Sequence, residues 1–172
     1  MPGTRAWHLY DVLRTERLCL SPVARSDVDA WATFLADSDA LRLLHFPEPH
    51  DRALAEELLE RTIAGATGDL AMYAVTVRET GETAGFVGYA PRTMEWGDEH
   101  ELGWLLLTPF HGRGYATEAA TTIRQLHPGR VISLIRVENE ASINVARKLG
   151  MRLERDIDFA GFATHVYVSD SA

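Results

Sequence analysis

A chain of 172 residues, 46% of them apolar, can bury a core of its own, which predicts a single domain over residues 1–172. Its formal charge of −8 argues against non-specific binding to nucleic acid or to an anionic membrane, so an anionic ligand needs a local site. No run nears the roughly 20 apolar residues of a membrane span, Met1–Tyr10 lacks a secretion pattern, and Cys19 is the lone cysteine; a cytoplasmic protein without disulfides is expected.

Leu18 to Val23 alternates and predicts the first strand, with Cys19 as a packing residue rather than a nucleophile. Ser26 then offers an N-cap with Asp29 three residues on, ahead of Val28, Trp31, Phe34 and Leu35 at helical spacing. Phe46-Pro47-Glu48-Pro49 interrupts the chain before a second helix, about Ala53 to Ala64. Leu70 to Val77 predicts a strand, and Glu79-Thr80-Gly81-Glu82 a hairpin turn into the strand Thr83 to Ala90. A turn around Gly97 leads to a long strand, Glu99 to Leu107. The helix predicted from Arg113 to Leu126 carries Ala116, Ala119, Ala120, Ile123 and Leu126 on one narrow apolar face, and His127-Pro128-Gly129 ends it. Val131 to Val137 is nearly all apolar, as for a strand buried on both faces. Asn139 caps a short helix that Gly150 closes, and Met151 to Arg155 and Phe162 to Val168 are the last strands. The order β-α-α-β-β-β-α-β-α-β-β predicts a mixed sheet with helices on both faces.

The stretch from Gly103 to Ala120 carries the chemistry. The apolar strand Gly103-Trp104-Leu105-Leu106-Leu107 runs through Thr108-Pro109-Phe110-His111, and Gly112-Arg113-Gly114 opens straight into a helix. Free backbone N–H groups, the positive end of a helix and one arginine meet there, which suits a pyrophosphate. The glycines let the backbone approach closely and take positive φ. The spacing is not that of the dinucleotide fingerprint, and the Gly-Lys-Ser/Thr of a nucleotide-hydrolase loop is missing. A tight strand-to-helix turn with no ligand is the other reading of the glycines alone. The seven histidines show no paired spacing on a helix face, so no metal is expected.

Further on, Arg136-Val137-Glu138-Asn139-Glu140-Ala141-Ser142 leads to Asn144, Arg147 and Lys148-Leu149-Gly150-Met151. This segment resembles the Asn-x-x-Ser…Lys-Leu-Gly-(Met/Phe) segment of the GNAT acyltransferase superfamily. Thr15-Glu16-Arg17-Leu18-Cys19-Leu20, Asp27-Val28-Asp29 and Glu101-Leu102-Gly103-Trp104 resemble, more narrowly, the branch containing bacterial ribosomal-protein N-terminal acetyltransferases. The resemblance implies an α/β (α+β) fold with a mixed, mostly antiparallel sheet of about seven strands. It implies acetyl-CoA as co-substrate and a primary amine as acceptor, on a protein N-terminus or a small molecule. Acyl-CoA would lie along Leu105, Leu106 and Leu107, with its pyrophosphate at His111, Gly112, Arg113, Gly114, Tyr115, Ala116 and Thr117. His111 stands where the superfamily usually has Gln or Arg, a departure that a loop working through backbone N–H groups tolerates. The link from Leu126 to Val131 is shorter than in relatives, which trims the far end of that helix. Asn139, Ser142, Asn144 and Arg147 would line the CoA channel, and each has an alternative as a cap or surface residue. A homodimer is left open, dimers being common among homo-oligomers.

Acetyl transfer to an amine needs a neutral amine, a polarised thioester and a proton for the leaving thiolate. An α-amine of pKa about 7.7 to 8.0 is roughly one-tenth neutral at pH 7, and a lysine near 10.4 far less, so a general base helps. Glu101 is the candidate base, directly or through water, on the strand side shared by Gly103 and Leu105; a solvated strand-end carboxylate beside Asp98 and Glu99 is the other reading. Where many superfamily members have a tyrosine acid, this chain, counted from Asn139, has Ala146. In the branch it resembles, the serine corresponding to Ser142 is the donor near the thiolate; the alternative is that Ser142 only caps its helix. Leu43 to His50, with His45 and Phe46, and Arg92 to Gly97, with Trp96, are expected to wall the acceptor pocket, shaped further by Phe159-Ala160-Gly161-Phe162. Glu95, Asp98, Glu99 and Asp158 would favour a cationic amine there. The expectation is direct transfer in a ternary complex, with no covalent acyl-enzyme. The alternative, an acyl-CoA-binding sensor or interaction module with little catalysis, draws on the missing tyrosine at Ala146.

Overall fold

The computed structural model describes residues 11–66, 70–127 and 129–170; Met1–Tyr10 and Pro128 of the helix stop lie outside them. Eight strands form one sheet: β1 (Leu13–Arg14), β2 (Leu18–Pro22), β3 (Ala71–Val77), β4 (Thr83–Met94), β5 (Gly97–Leu106), β6 (Val131–Arg136), β7 (Arg152–Phe159) and β8 (Phe162–Ser169). Their order is β1-β2-β3-β4-β5-β6-β8-β7. Every pairing is antiparallel except β5 with β6, so the sheet is mixed and mostly antiparallel as expected. The strand beyond the expected seven is β1, whose two residues are too few to show an alternation.

Five helices accompany the sheet: α1 (Val28–Ala36), α2 (Ser38–Leu41), α3 (Arg52–Ala64), α4 (Tyr115–Arg124) and α5 (Glu140–Lys148). Ser26 does not cap α1. It sits inside a 3-10 turn over Arg25–Asp27, and the Asp27 carboxylate accepts from the Ala24 N–H at 2.8 Å instead. The single turn of α2 has no periodicity of its own to read; Asp37 makes it by accepting from the N–H groups of Asp39 and Ala40. No helix among the described residues is long and apolar enough to cross a membrane.

Alternation along the central strands sends side chains to two cores. Tyr73, Val75 and Leu102 pack with Ala119, Ala120 and Ile123 of α4 and Ile143 and Ala146 of α5. Ala74 and Phe86 point the other way, to Trp31, Phe34 and Leu35 of α1 and Leu59 of α3. Helices therefore cover both faces, and β6 is buried on both, with Val131 and Ile135 in one core and Ile132 and Leu134 in another.

The feature that makes a site is the seam between β5 and β6. β4 and β5 pair from Gly85↔Leu106 to Met94↔Gly97, and β6 pairs with β8 along its whole length. Between them only Glu101↔Ile132 are in register. At the fork the buried Ser133 hydroxyl donates to the Leu102 carbonyl at 2.7 Å. Beyond that bond the strands part, and the gap opens at their C-terminal ends, where α4 and α5 begin.

Ser133→Ala removes the donor and leaves the Leu102 carbonyl buried without it. A loss of about 1 to 3 kcal/mol is expected, read as a lower denaturant midpoint at unchanged m-value.

Candidate active site

At the end of β5 the chain makes a 3-10 turn, Thr108–Phe110, and the His111 ring closes back on the Leu106 carbonyl, Nε2 to O 2.9 Å. Gly112 and Gly114 then take φ of +72° and +80°, a region that costs any residue with a Cβ. Gly114 is the N-cap of α4, and no side chain caps the helix. Glu118 is the first residue to close the ladder, N–H to Gly114 O at 3.1 Å. The N–H groups of Tyr115, Ala116 and Thr117 are thus left without an acceptor inside the helix, at its positive end.

This turn is clamped to the connection between β1 and β2. Glu118 accepts from the Thr15 hydroxyl at 2.5 Å, the Arg17 N–H at 2.9 Å and Arg17 Nε at 2.7 Å. Arg17 also donates from Nη1 to the Arg113 carbonyl at 2.9 Å and lies 4.9 Å from the Tyr115 ring centre. Burial alone would raise the Glu118 carboxyl, but these donors and the guanidinium outweigh it and hold it below the usual carboxylate range. Thr108 ties the other flank through its hydroxyl to Asp37, at 2.7 Å.

Two chambers meet at the fork. The larger, about 380 Å³, runs from the helix start past His111, Gly112, Gly114, Tyr115, Ala116 and Thr117 to Leu105, Leu106, Asn139, Ser142 and Asn144. The smaller, about 110 Å³, holds Glu101, His45, Arg92, Arg136, Ser133 and Phe159. Leu43, Leu44, Trp104, Leu105, Asn139 and Ser142 line both, so the two adjoin one another. Most of the site residues read from the sequence come together here. Leu107 packs into the core under α1 and α3, Arg113 lies 5.7 Å from the Phe110 ring centre, and Arg147 is exposed; none of the three lines either chamber.

The start of α5 shows what each residue there does. Asn139 accepts the Ser142 N–H at 3.1 Å through Oδ1 and donates from Nδ2 to the Leu43 carbonyl at 3.3 Å. Asn139 is therefore the cap, and Ser142 contributes its backbone while its hydroxyl stays uncommitted at the junction of the chambers. Ala146 is fully buried in the core shared with Leu102, Ile123 and Ile143. Arg136 donates from Nη1 to the Arg42 and Leu44 carbonyls at 3.0 and 3.3 Å, and lies over the Phe162 ring at 4.0 Å. Together Asn139 and Arg136 fasten residues 42–44 as a roof over the fork.

In the smaller chamber Glu101 is paired with Arg92, Nε to Oε2, and the carboxylate is mostly shielded. The chamber is otherwise not acidic. Glu99 is buried against Arg130, both oxygens within 3.1 Å of Nε, and accepts from Trp96 Nε1 at 2.8 Å. Trp96 itself packs with Met94 and Ile132, away from the chamber. Asp98 accepts from Thr93 and Asp158 from the Gly161 N–H. The expected acidic wall for a cationic amine is thus replaced by one carboxylate among Arg92, Arg136 and His45. His45 and Arg92 come from the two segments expected as walls, Leu43 to His50 and Arg92 to Gly97; Arg136 joins them from β6, and no local pattern in the chain signals that it does.

Residues 17–152 match the family model described as an acetyltransferase (GNAT) domain. The chain is similar to the uncharacterized N-acetyltransferase YnaD of Bacillus subtilis (strain 168), 27% identical over 150 residues and 83% of each chain. It is 34% identical over 85 residues to the uncharacterized protein YkkB of the same organism, 46% of this chain and 49% of that one, and so matches about half that relative's length. RimL, a ribosomal L7/L12 alpha-N-protein acetyltransferase solved in complex with coenzyme A, has the same fold. It superposes with a TM-score of 0.78 at 20% identity, over 94% of this chain and 98% of that one.

Because Glu118 is held below its unfolded value, its contribution to stability is present above about pH 4.3 and is lost as pH falls through the folded value. Glu118→Gln is expected to flatten the acid side of the stability profile and to raise the acetyl-CoA Kd severalfold by calorimetry. Gly114→Val, strained at φ +80° and with its Cβ 3.4 Å from the Arg17 guanidinium, is expected to raise that Kd at least tenfold; unchanged affinity would remove the loop from the site.

Proposed function

The chain belongs to the GNAT acetyltransferase family, and from that premise we propose that it transfers an acetyl group from acetyl-CoA to a primary amine by direct attack in a ternary complex. The observation that carries this is the fork itself, which leads from three orphan N–H groups at α4 to a chamber holding Glu101, with the Ser142 hydroxyl at the junction. In this reading the pyrophosphate sits on the N–H groups of Tyr115, Ala116 and Thr117, where the helix dipole favours negative charge. The pantetheine arm runs along the edge of β5 that β6 leaves unpaired, from Leu106 back to Trp104.

The acceptor enters from the smaller chamber. Glu101 draws a proton from the amine, directly or through water, and the neutral nitrogen attacks the thioester carbon. The Ser142 hydroxyl hydrogen-bonds the sulfur as charge develops on it, in a cleft that the 42–44 roof shields from bulk water. The similar RimL acts on a protein N-terminus, which makes a peptide α-amine the first acceptor to try. The same site also suits a small-molecule amine in the cytoplasm.

Thiol release from acetyl-CoA is expected with one of several acceptor pools: N-terminal peptides, lysine peptides, polyamines, aminoglycosides and free amino acids. Silence in every pool, with calorimetry showing tight acetyl-CoA binding, would favour a binding module over an enzyme. With the reactive pool, Glu101→Gln is expected to lower kcat/KM roughly 10- to 100-fold at pH 7. The gap should narrow in alkaline buffer as the amine deprotonates unaided. Superimposable pH–rate profiles for the two proteins would exclude Glu101 as the base.

A further inference from the structure

Resting on that transfer reading, we propose that His45 is the proton acceptor of the reaction, its Nδ1 ending a relay that begins at Glu101. Both residues line the 110 Å³ chamber. His45 Nε2 lies 2.9 Å from the hydroxyl of Thr164, which is fully buried. That hydroxyl has one proton and gives it to the Phe162 carbonyl at 2.9 Å, an oxygen that can only accept. Thr164 therefore accepts from His45, Nε2 carries the hydrogen, and in the neutral ring Nδ1 keeps its lone pair. Phe159 and Phe162 pack edge-on at 5.1 and 6.2 Å and hold the ring in that orientation.

The groups around the ring set its charge. Arg136 from β6 and Arg92 from β4 bring positive charge, Glu101 from β5 the single carboxylate, and Thr164 from β8 the hydroxyl. Burial first, then Arg136 and Arg92, hold the imidazole below its ordinary value, so it is neutral at neutral pH and its Nδ1 lone pair is free to accept a proton. Glu101 is tied at Oε2 by Arg92, which suits it to holding an ammonium. Carboxylates, with ordinary pKa values near 4, are weak sinks for the proton of an amine near 8 to 10, and an imidazole is a better one.

The step balances as follows. An ammonium docks on Glu101, which draws one proton from it and passes that proton on to Nδ1. The neutral amine forms the N–C bond, the C–S bond breaks, and the second nitrogen proton reaches sulfur through the Ser142 hydroxyl. The imidazolium, disfavoured beside two guanidiniums, returns its proton to solvent. Ammonium and thioester become amide, thiol and one released proton.

His45→Gln tests this, because the glutamine amide can still donate to Thr164 but cannot take a proton. With acetyl-CoA and the reactive amine pool, wild-type kcat/KM should be level between the pKa values of His45 and the amine, and fall tenfold per unit below the first. The variant should be 10- to 100-fold slower at pH 6 to 7 and rise tenfold per unit up to the amine pKa, with acetyl-CoA Kd within twofold of wild type. Coincident profiles overturn the proposal. Imidazole ¹⁵N NMR of the free protein tests it without any acceptor. The ring signal absent from the variant should show Nε2 protonated, Nδ1 bare and a midpoint below 6.5. A hydrogen on Nδ1, or a midpoint at 6.5 or above, overturns it. Failure of the wild type to release thiol counts against the transfer reading instead, and the NMR result then decides for His45 alone.

Discussion

Everything at the site depends on β5 and β6 being adjacent yet paired at a single register position. Each is satisfied on its outer side, β5 by a ten-pair ladder with β4 and β6 by six pairs with β8. Neither needs the other for its stability, so the sheet can leave their inner edges free without melting. One parallel pair and the Ser133 hydroxyl set where the parting begins. A full ladder would abolish the cleft, and no contact at all would split the sheet. Backbone groups left at the fork are available to an extended ligand, and both helix N-termini follow from strands that end there.

A fork in a sheet is useful only if its walls keep their positions. The wall at α4 is held through Glu118, which gathers three donors from Thr15 and Arg17 in the turn between β1 and β2. The roof is held through Asn139 and Arg136, which engage the carbonyls of residues 42–44. Asn139 serves two ends at once, since the same amide caps α5 and grips the roof. Movement of the roof would therefore disturb the helix that carries Ser142, and a change at that helix would loosen the roof.

How much of this was legible in the chain follows from the range of each interaction. The shape of the 111–114 turn could be read because Gly112 and Gly114 answer a purely local demand, positive φ beside a helix start. Strand alternation placed Glu101 on the side of Leu105, and both line the smaller chamber. Ser26 misled because Asp27, one residue on, competes for the same start and wins by bonding back to Ala24. The acidic residues around β5 misled for a different reason: Glu99 finds its partner in Arg130, 31 positions away, and no pattern announces that pair. Arg92, Arg136 and His45 converge from three distant segments, so the character of the smaller chamber is a product of topology.

The charge inventory explains why the turn relies on backbone. The chain is acidic overall and has a single lysine, Lys148, which lines the larger chamber. Three of its arginines near the site are engaged in holding it: Arg17 with Glu118, Arg92 with Glu101, Arg136 with the roof carbonyls and Glu138. Releasing any of them to a phosphate would undo a wall or the roof. Peptide N–H groups at a helix start carry no such obligation, and their dipoles are fixed before the ligand arrives. Such a site gains little from one extra surface cation, but depends strongly on backbone shape. His111 takes part in that shape, its ring turned back to the Leu106 carbonyl.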